Sequence, residues 1–210
     1  MASRDKLIWW MQGGIEQARA LQRQGDLEGA RNVLEQVATD ARRGGVRSSH
    51  LYWRRAAVCG KLDDLPAAFG HIHRALEEDP LSPEVIESYQ MLLAHLRSIL
   101  GSPARAVDDP STPELYRILL REERSTIAPH LAMAKWLAEG DRMGEAIDLA
   151  RAAANLFPGS VKAWRLLAKL AFVAGDKATT REARARAAKA QSAATREQPA
   201  PRPTQSKAKA

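Results

Sequence analysis

Apolar and small residues recur at three- and four-residue steps through most of this chain. GGIEQARALQRQGDLEGARNVLEQVATDARRGG, WRRAAVCGKLDDLPAAFGHIHRALEEDP, PEVIESYQMLLAHLRSIL, TPELYRILLREERS, APHLAMAKWLAEGDRMGEAIDLARAAANLFPG and SVKAWRLLAKLAFVAGDKATTREARARAAKAQ all carry that period. It is the period of amphipathic helices, whose side chains at i, i+3 and i+4 share a face. Ala and Leu dominate the apolar positions, and β-branched and aromatic residues are sparse, so helices are expected and strands are not.

The last two segments share a layout. Aligning Ala134 with Ala168 superposes them at an offset of 34 residues, which also carries Ala153 onto Ala187. Upstream, Ala56, Ala68, Ala75 and Pro80 fall in equivalent places, as do Ala18, Ala30 and Val37 nearer the N-terminus. Each unit reads as two antiparallel helices that approach closely because their contact residues are small. Gly-Asp recurs at Gly25-Asp26, Gly140-Asp141 and Gly175-Asp176, with Leu62-Asp63-Asp64-Leu65 in a similar place. Glycine can end a helix in a left-handed backbone, and Asp favours the start of the next. Pro80 and Pro158 stop the second helix of their units, and Ser82-Pro83 and Ser160 are placed to start the following one.

A 34-residue helix–turn–helix unit with these small positions resembles the tetratricopeptide repeat family. Trp164, Leu167, Ala168, Gly175 and Asp176 match the first-helix signature, and Ala146, Ala153 and Pro158 the second. Departures exist: His130 or Gly14 stands where a large aromatic is usual, and Gln17 and Arg55 replace a Leu. The first unit carries about four extra residues around Ala41-Arg42-Arg43-Gly44-Gly45. The resemblance implies an all-α, antiparallel helix-hairpin solenoid of four to five repeats. It is expected over residues 1–190, with a divergent unit and insertion at 83–126, followed by a basic tail over 191–210 in which helix formers run to about Arg196 and disorder is expected after Gln198.

What the family implies about function is a protein–protein adaptor or scaffold, non-catalytic, holding a partner's peptide, helix or loop. The groove is lined by the first helix of each pair. Carried onto this chain, it comprises Ile15, Arg19, Arg23, Trp53, Lys61, Leu131, Lys135, Lys162, Arg165 and Lys169. The set is mostly basic with a few apolar members, so the expected partner is an acidic segment with one or two apolar anchors. The Asn residues of the variant that clamps chaperone C-termini are absent from the corresponding positions.

Charge changes the picture at the C-terminus. Residues 177–210 hold nine Lys or Arg against two Glu, an excess equal to the whole net charge of +7, so the rest of the chain balances. A basic tail binds nucleic acid by phosphate neutralisation; without interleaved aromatics such binding is non-specific. This is the competing function. Thr180, Ala183, Ala187, Ala190 and Ala194 form a small-residue stripe suited to packing, while Lys177, Arg181 and Arg184 form a basic stripe elsewhere. At the other end, Trp9 and Trp10 are adjacent and cannot share one helix face. One is expected to pack inward and the other to mark a cap, an oligomer contact or a partner surface, and the oligomeric state is open.

Other chemistry is thin. Cys59 is the single cysteine and reads as a small core residue in a reducing, cytoplasmic setting. His71 and His73 point to different sides of a helix and make no chelating pair. No metal, cofactor or catalytic grouping is expected. The apolar run Leu7–Met11 is too short for a signal-peptide core or a membrane span.

Overall fold

The structure is a computed structural model that describes residues 4–101 and 111–197. The described residues form ten α-helices and no strand: α1 (Arg4–Arg23), α2 (Leu27–Arg43), α3 (Ser49–Lys61), α4 (Leu65–Glu78), α5 (Pro83–Gly101), α6 (Thr112–Glu122), α7 (Ala128–Glu139), α8 (Met143–Leu156), α9 (Val161–Val173) and α10 (Lys177–Glu197). This is the all-α helix-hairpin architecture expected from the period and the small positions. Two compact units are present, Met1–Leu119 and Leu120–Ala210. The division falls in α6, inside the 83–126 stretch where the repeat pattern weakens. The insertion itself, 102–110, lies outside the described residues.

In the first unit, α1 pairs with α2 and α3 with α4, while α2 packs on α3 and α4 on α5. The first helices also touch in sequence, α1 on α3 and α3 on α5. Two apolar clusters result. Ile15, Ala18, Ala30, Leu34, Leu51 and Val58 belong to one; Ala56, Cys59, Ala68, Phe69, Ile72 and Leu96 belong to the other, joined by Leu115, Ile118 and Leu119 of α6. Helix α3 thus serves both, and Arg55 is buried at its centre. In the second unit, α7–α8 and α9–α10 pair and α8 packs on α9 around one cluster rich in fully buried alanines. Ala30, Ala56, Ala68, Ala134, Ala146 and Ala150 all have no accessible surface. The small-residue stripes therefore face inward, as close helix approach requires.

The turns within hairpins share one backbone device, but one sits a residue away from where the Gly-Asp repetition places it. Gly25 and Gly175 take left-handed φ of 84° and 78°. Asp26 and Asp176 then accept from the backbone N–H of Gly29 and Thr179. In the α3–α4 turn Asp63 takes the left-handed place, φ 58°, and Asp64 caps α4 by accepting from Ala67 N–H. In the α7–α8 turn the left-handed residue is Asp141, φ 57°, not Gly140, whose φ is −92°. The cap of α8 therefore falls on Arg142, which makes no side-chain cap. Asp tolerates the left-handed region better than most residues, so the 34-residue register wins over the Gly-Asp pair. Between hairpins the expectation holds: α5 starts at Pro83 with Ser82 Oγ accepting from Val85 N–H, and Ser160 caps α9 through Ala163 N–H at 3.3 Å. Trp164 Nε1 donates to the Pro158 carbonyl at 2.9 Å, tying α9 to the turn before it.

Helix α10 continues to Glu197, where the helix formers that run from Thr179 to about Arg196 end. Its inward stripe is Thr180, Ala183, Ala187 and Ala190, whereas Ala194 is exposed. The remaining tail, 198–210, lies outside the described residues. No helix among the described residues is long and apolar enough to cross a membrane.

Candidate functional site

The expected groove residues divide by helix. Ile15 is a correction: it is 3% exposed and belongs to the core with Ala18 and Leu34. It lies three residues before Ala18 and four after the buried Met11, so the helical period puts it on the inward stripe. Arg19 is partly exposed and its Nη1 donates to Glu16 at 2.9 Å. Arg23 and Lys61 are exposed at the ends of α1 and α3.

Trp53 is half-buried in an ordered setting. Its Nε1 donates to Ser88 Oγ on α5 at 2.6 Å, the Arg54 guanidinium lies 4.2 Å from its ring centroid, and His50 meets it edge-on at 5.1 Å. Burial, then the Arg54 charge, pushes the His50 imidazole below its ordinary value. This part of the first unit also carries Glu16 and Glu84, both held below the usual carboxylate range by hydrogen bonds. It is mixed in charge rather than basic.

In the second unit, Leu131 is half-buried against the core and Lys135 and Lys162 are exposed. Arg165 and Lys169 are brought together in a groove between α9 and α10. Its volume is about 430 Å³, and Phe172 and Arg184 line it with them. Arg165 Nη2 donates to Gln191 Oε1 at 2.7 Å, bridging the two helices. A neighbouring depression of about 370 Å³ is lined by Phe172, Lys177, Arg181 and Arg184. Phe172 is 66% exposed, with the Arg184 guanidinium 5.7 Å from its ring centroid. Five cations thus line the two depressions that share Phe172, and no carboxylate lines either.

Of the expected groove residues Arg165 and Lys169 lie on α9, and Phe172 beside them was not among those expected. The Lys177, Arg181 and Arg184 stripe was expected elsewhere on the surface. The signal for Phe172 was present: Ala163, Trp164, Leu167, Leu170 and Ala171 already fill the inward face, leaving Phe172 outside it.

Trp9 and Trp10 do not divide into one inward and one outward ring. Trp9 is 76% exposed and Trp10 38%. They edge a groove of about 330 Å³ with Gly13, Gly14 and Val33. Cys59 is buried as expected, and burial pushes its thiol up, away from a nucleophile's range. His71 and His73 do not converge with other metal-ligating side chains; among the described residues no group of three or more exists.

No family model matches the chain, and no curated protein does. Among solved structures it is similar to MamA of MSR-1, at 17% identity and a TM-score of 0.40, over 90% of this chain and 98% of that one. It is similar to MamA 41-end from Desulfovibrio magneticus RS-1 at 12% identity and a TM-score of 0.37, over 90% and 97%. The TPR2AB domain of yeast Sti1, in its complex with pHSP90, is similar at 17% identity and a TM-score of 0.38, over 89% and 80%.

Proposed function

We propose that this chain is a non-catalytic cytoplasmic adaptor that holds an acidic protein segment carrying an apolar anchor, with the α9–α10 groove as its principal contact. The carrying observation is the exposed ring of Phe172, which lines two adjoining depressions with Arg165, Lys169, Lys177, Arg181 and Arg184 and no carboxylate. Arginine offers a planar fork to carboxylates, and completing the burial of a Phe ring is worth about 1–2 kcal/mol at this exposure. Together they select a segment in which acids flank an aliphatic or aromatic side chain. In the first unit, Arg19, Trp53 and the Trp9–Trp10 groove are accessory contacts, the last for a partner or a second copy of the chain.

Fluorescence anisotropy of a labelled peptide of alternating Glu and Leu tests this with the full chain. The wild type binds with an affinity that falls as salt rises. Phe172→Ala and the double reversal Lys169→Glu with Arg184→Glu each weaken it at least tenfold. Unchanged affinity in both variants refutes the groove. If binding of duplex DNA exceeds that of the peptide and is lost on replacing Lys207 and Lys209 with Ala, the tail is the functional element instead.

A further inference from the structure

The first unit contains a second cavity, of about 190 Å³, enclosed by α2, α3 and α4. At its heart is Arg55, only 8% exposed. Its Nη2 donates to Glu35 Oε2 on α2, which fixes the guanidinium. Its Nη1 is buried and has no hydrogen-bond partner among the described residues, and the same is true of His71 Nδ1 on α4. Both residues line the same cavity. A buried polar atom left unmatched loses its hydration with nothing in return, so a conventional core would not retain two. Apolar walls come from Leu34, Val58 and Ala67.

The Glu35 carboxylate lines the cavity too, but the two charges of this pair are unequally buried. Arg55 is buried while its counter-ion Glu35 is 57% exposed, so water screens the anion more than the cation. Arg31 lines the cavity as well, held 3.7 Å from Asp64 at the α3–α4 turn. At His71, the Arg55 and Arg74 charges outweigh those of Glu35 and Asp64 and add to burial in disfavouring the imidazolium.

We infer that this cavity is a binding site for a carboxylate on a short aliphatic stem, to which Arg55 Nη1 and His71 Nδ1–H donate, with the stem against Leu34, Val58 and Ala67. The volume is well below the ~300 Å³ at which drug-sized pockets begin, so the occupant is small. Two unpartnered nitrogens on residues of one cavity suit one carboxylate; a phosphate dianion would leave oxygens facing Leu34 and Val58 unpaired. The carboxylate belongs to a free short-chain acid or to a glutamate side chain of a partner. Its binding is independent of the α9–α10 groove.

The test is an NMR titration of the full chain, reading the Arg55 guanidinium and His71 imidazole resonances, with butyrate, capped glutamate, butyramide and inorganic phosphate as probes. Saturable shifts with butyrate or with capped glutamate support the site, and which of the two saturates identifies the source. Butyramide and phosphate are expected to bind at least tenfold more weakly. Arg55→Met is expected to lose at least tenfold in affinity, and His71→Phe several-fold. The inference is overturned by the absence of saturation with both carboxylates, by equal shifts with butyramide or phosphate, or by undiminished binding in Arg55→Met. Should Arg55→Met fail to fold, the ligand comparison on the wild type decides alone.

Discussion

Replacing Ala150 with Leu examines the packing on which the second unit depends. Ala150 is fully buried in α8, and its cluster partners Ala134, Ala146, Ala154 and Ala163 have no accessible surface either. Three extra carbon atoms have nowhere to go except by parting helices. Overpacking of this kind costs about 1–3 kcal/mol. The control is on the same helix: Ala152 is exposed, and Leu and Ala differ little in helix propensity, so Ala152→Leu is expected to change stability by less than about 0.5 kcal/mol. A unit of this size has about 4–13 kcal/mol of stability in total, so the difference is measurable. Urea unfolding followed by circular dichroism gives the magnitude. Hydrogen exchange of peptides from α7 to α10 localises it to that unit and separates it from the first. If Ala150→Leu proves as innocuous as Ala152→Leu, the alanines are not holding the helices together and the small-residue reading is wrong.

Two further outcomes follow from the first unit. In α1, a Cβ on Gly13 meets nothing within 4 Å, whereas one on Gly14 lies 2.4 Å from Val37 Cγ2. Gly13→Ala should therefore stabilise by about 0.5–1 kcal/mol through helix propensity, while Gly14→Ala loses that gain to the clash; equal stabilisation of the two in urea unfolding sinks the α1–α2 contact. His71, down to about 4 through burial and the Arg55 and Arg74 charges and partly offset by Glu35 and Asp64, is neutral in the fold but protonates near 6.5 when unfolded. Stability is then intact above pH 6.5 and lost as pH falls toward 4. The shift corresponds to about 3 kcal/mol at most, reduced to about 1–2 by the ring's partial exposure. His71→Gln should flatten that part of the pH–stability curve, and an unchanged curve contradicts the assignment.

Much of the fold was legible because it rests on periodicity. The stripe through Ala146, Ala150 and Ala154 keeps the four-residue helical step while Asp148 and Arg151 fall on other faces, and the structure buries it. Ile15 was misplaced where a family position was trusted over that same period. The α7–α8 turn shows a subtler conflict. Gly140-Asp141 looks identical to Gly175-Asp176, yet the 34-residue offset aligns Asp141 with Gly175. Helix packing fixes the length of α7, so the chain must go left-handed at 141 whatever residue is there, and Asp accepts it.

The sites were less legible, because a charge on an amphipathic helix announces exposure to solvent but not which neighbouring element it will meet. Lys169 and Arg184 are fifteen positions apart on different helices, and only the α9–α10 pairing makes them walls of one groove around Phe172. Arg55 is the instructive exception. It replaces a Leu at a position where the repeat pattern demands a core side chain, and the structure does bury it, beside Glu35 and His71. A charge at a core position has to be compensated, and compensating half of a guanidinium with a single half-exposed glutamate leaves the other half available. The departure from the repeat, rather than any match to it, is therefore where this chain differs chemically from a generic stack of hairpins. Replacement of Arg55 by Leu, which restores the repeat pattern, should preserve the helices while removing the only buried cationic group among the described residues from the cavity.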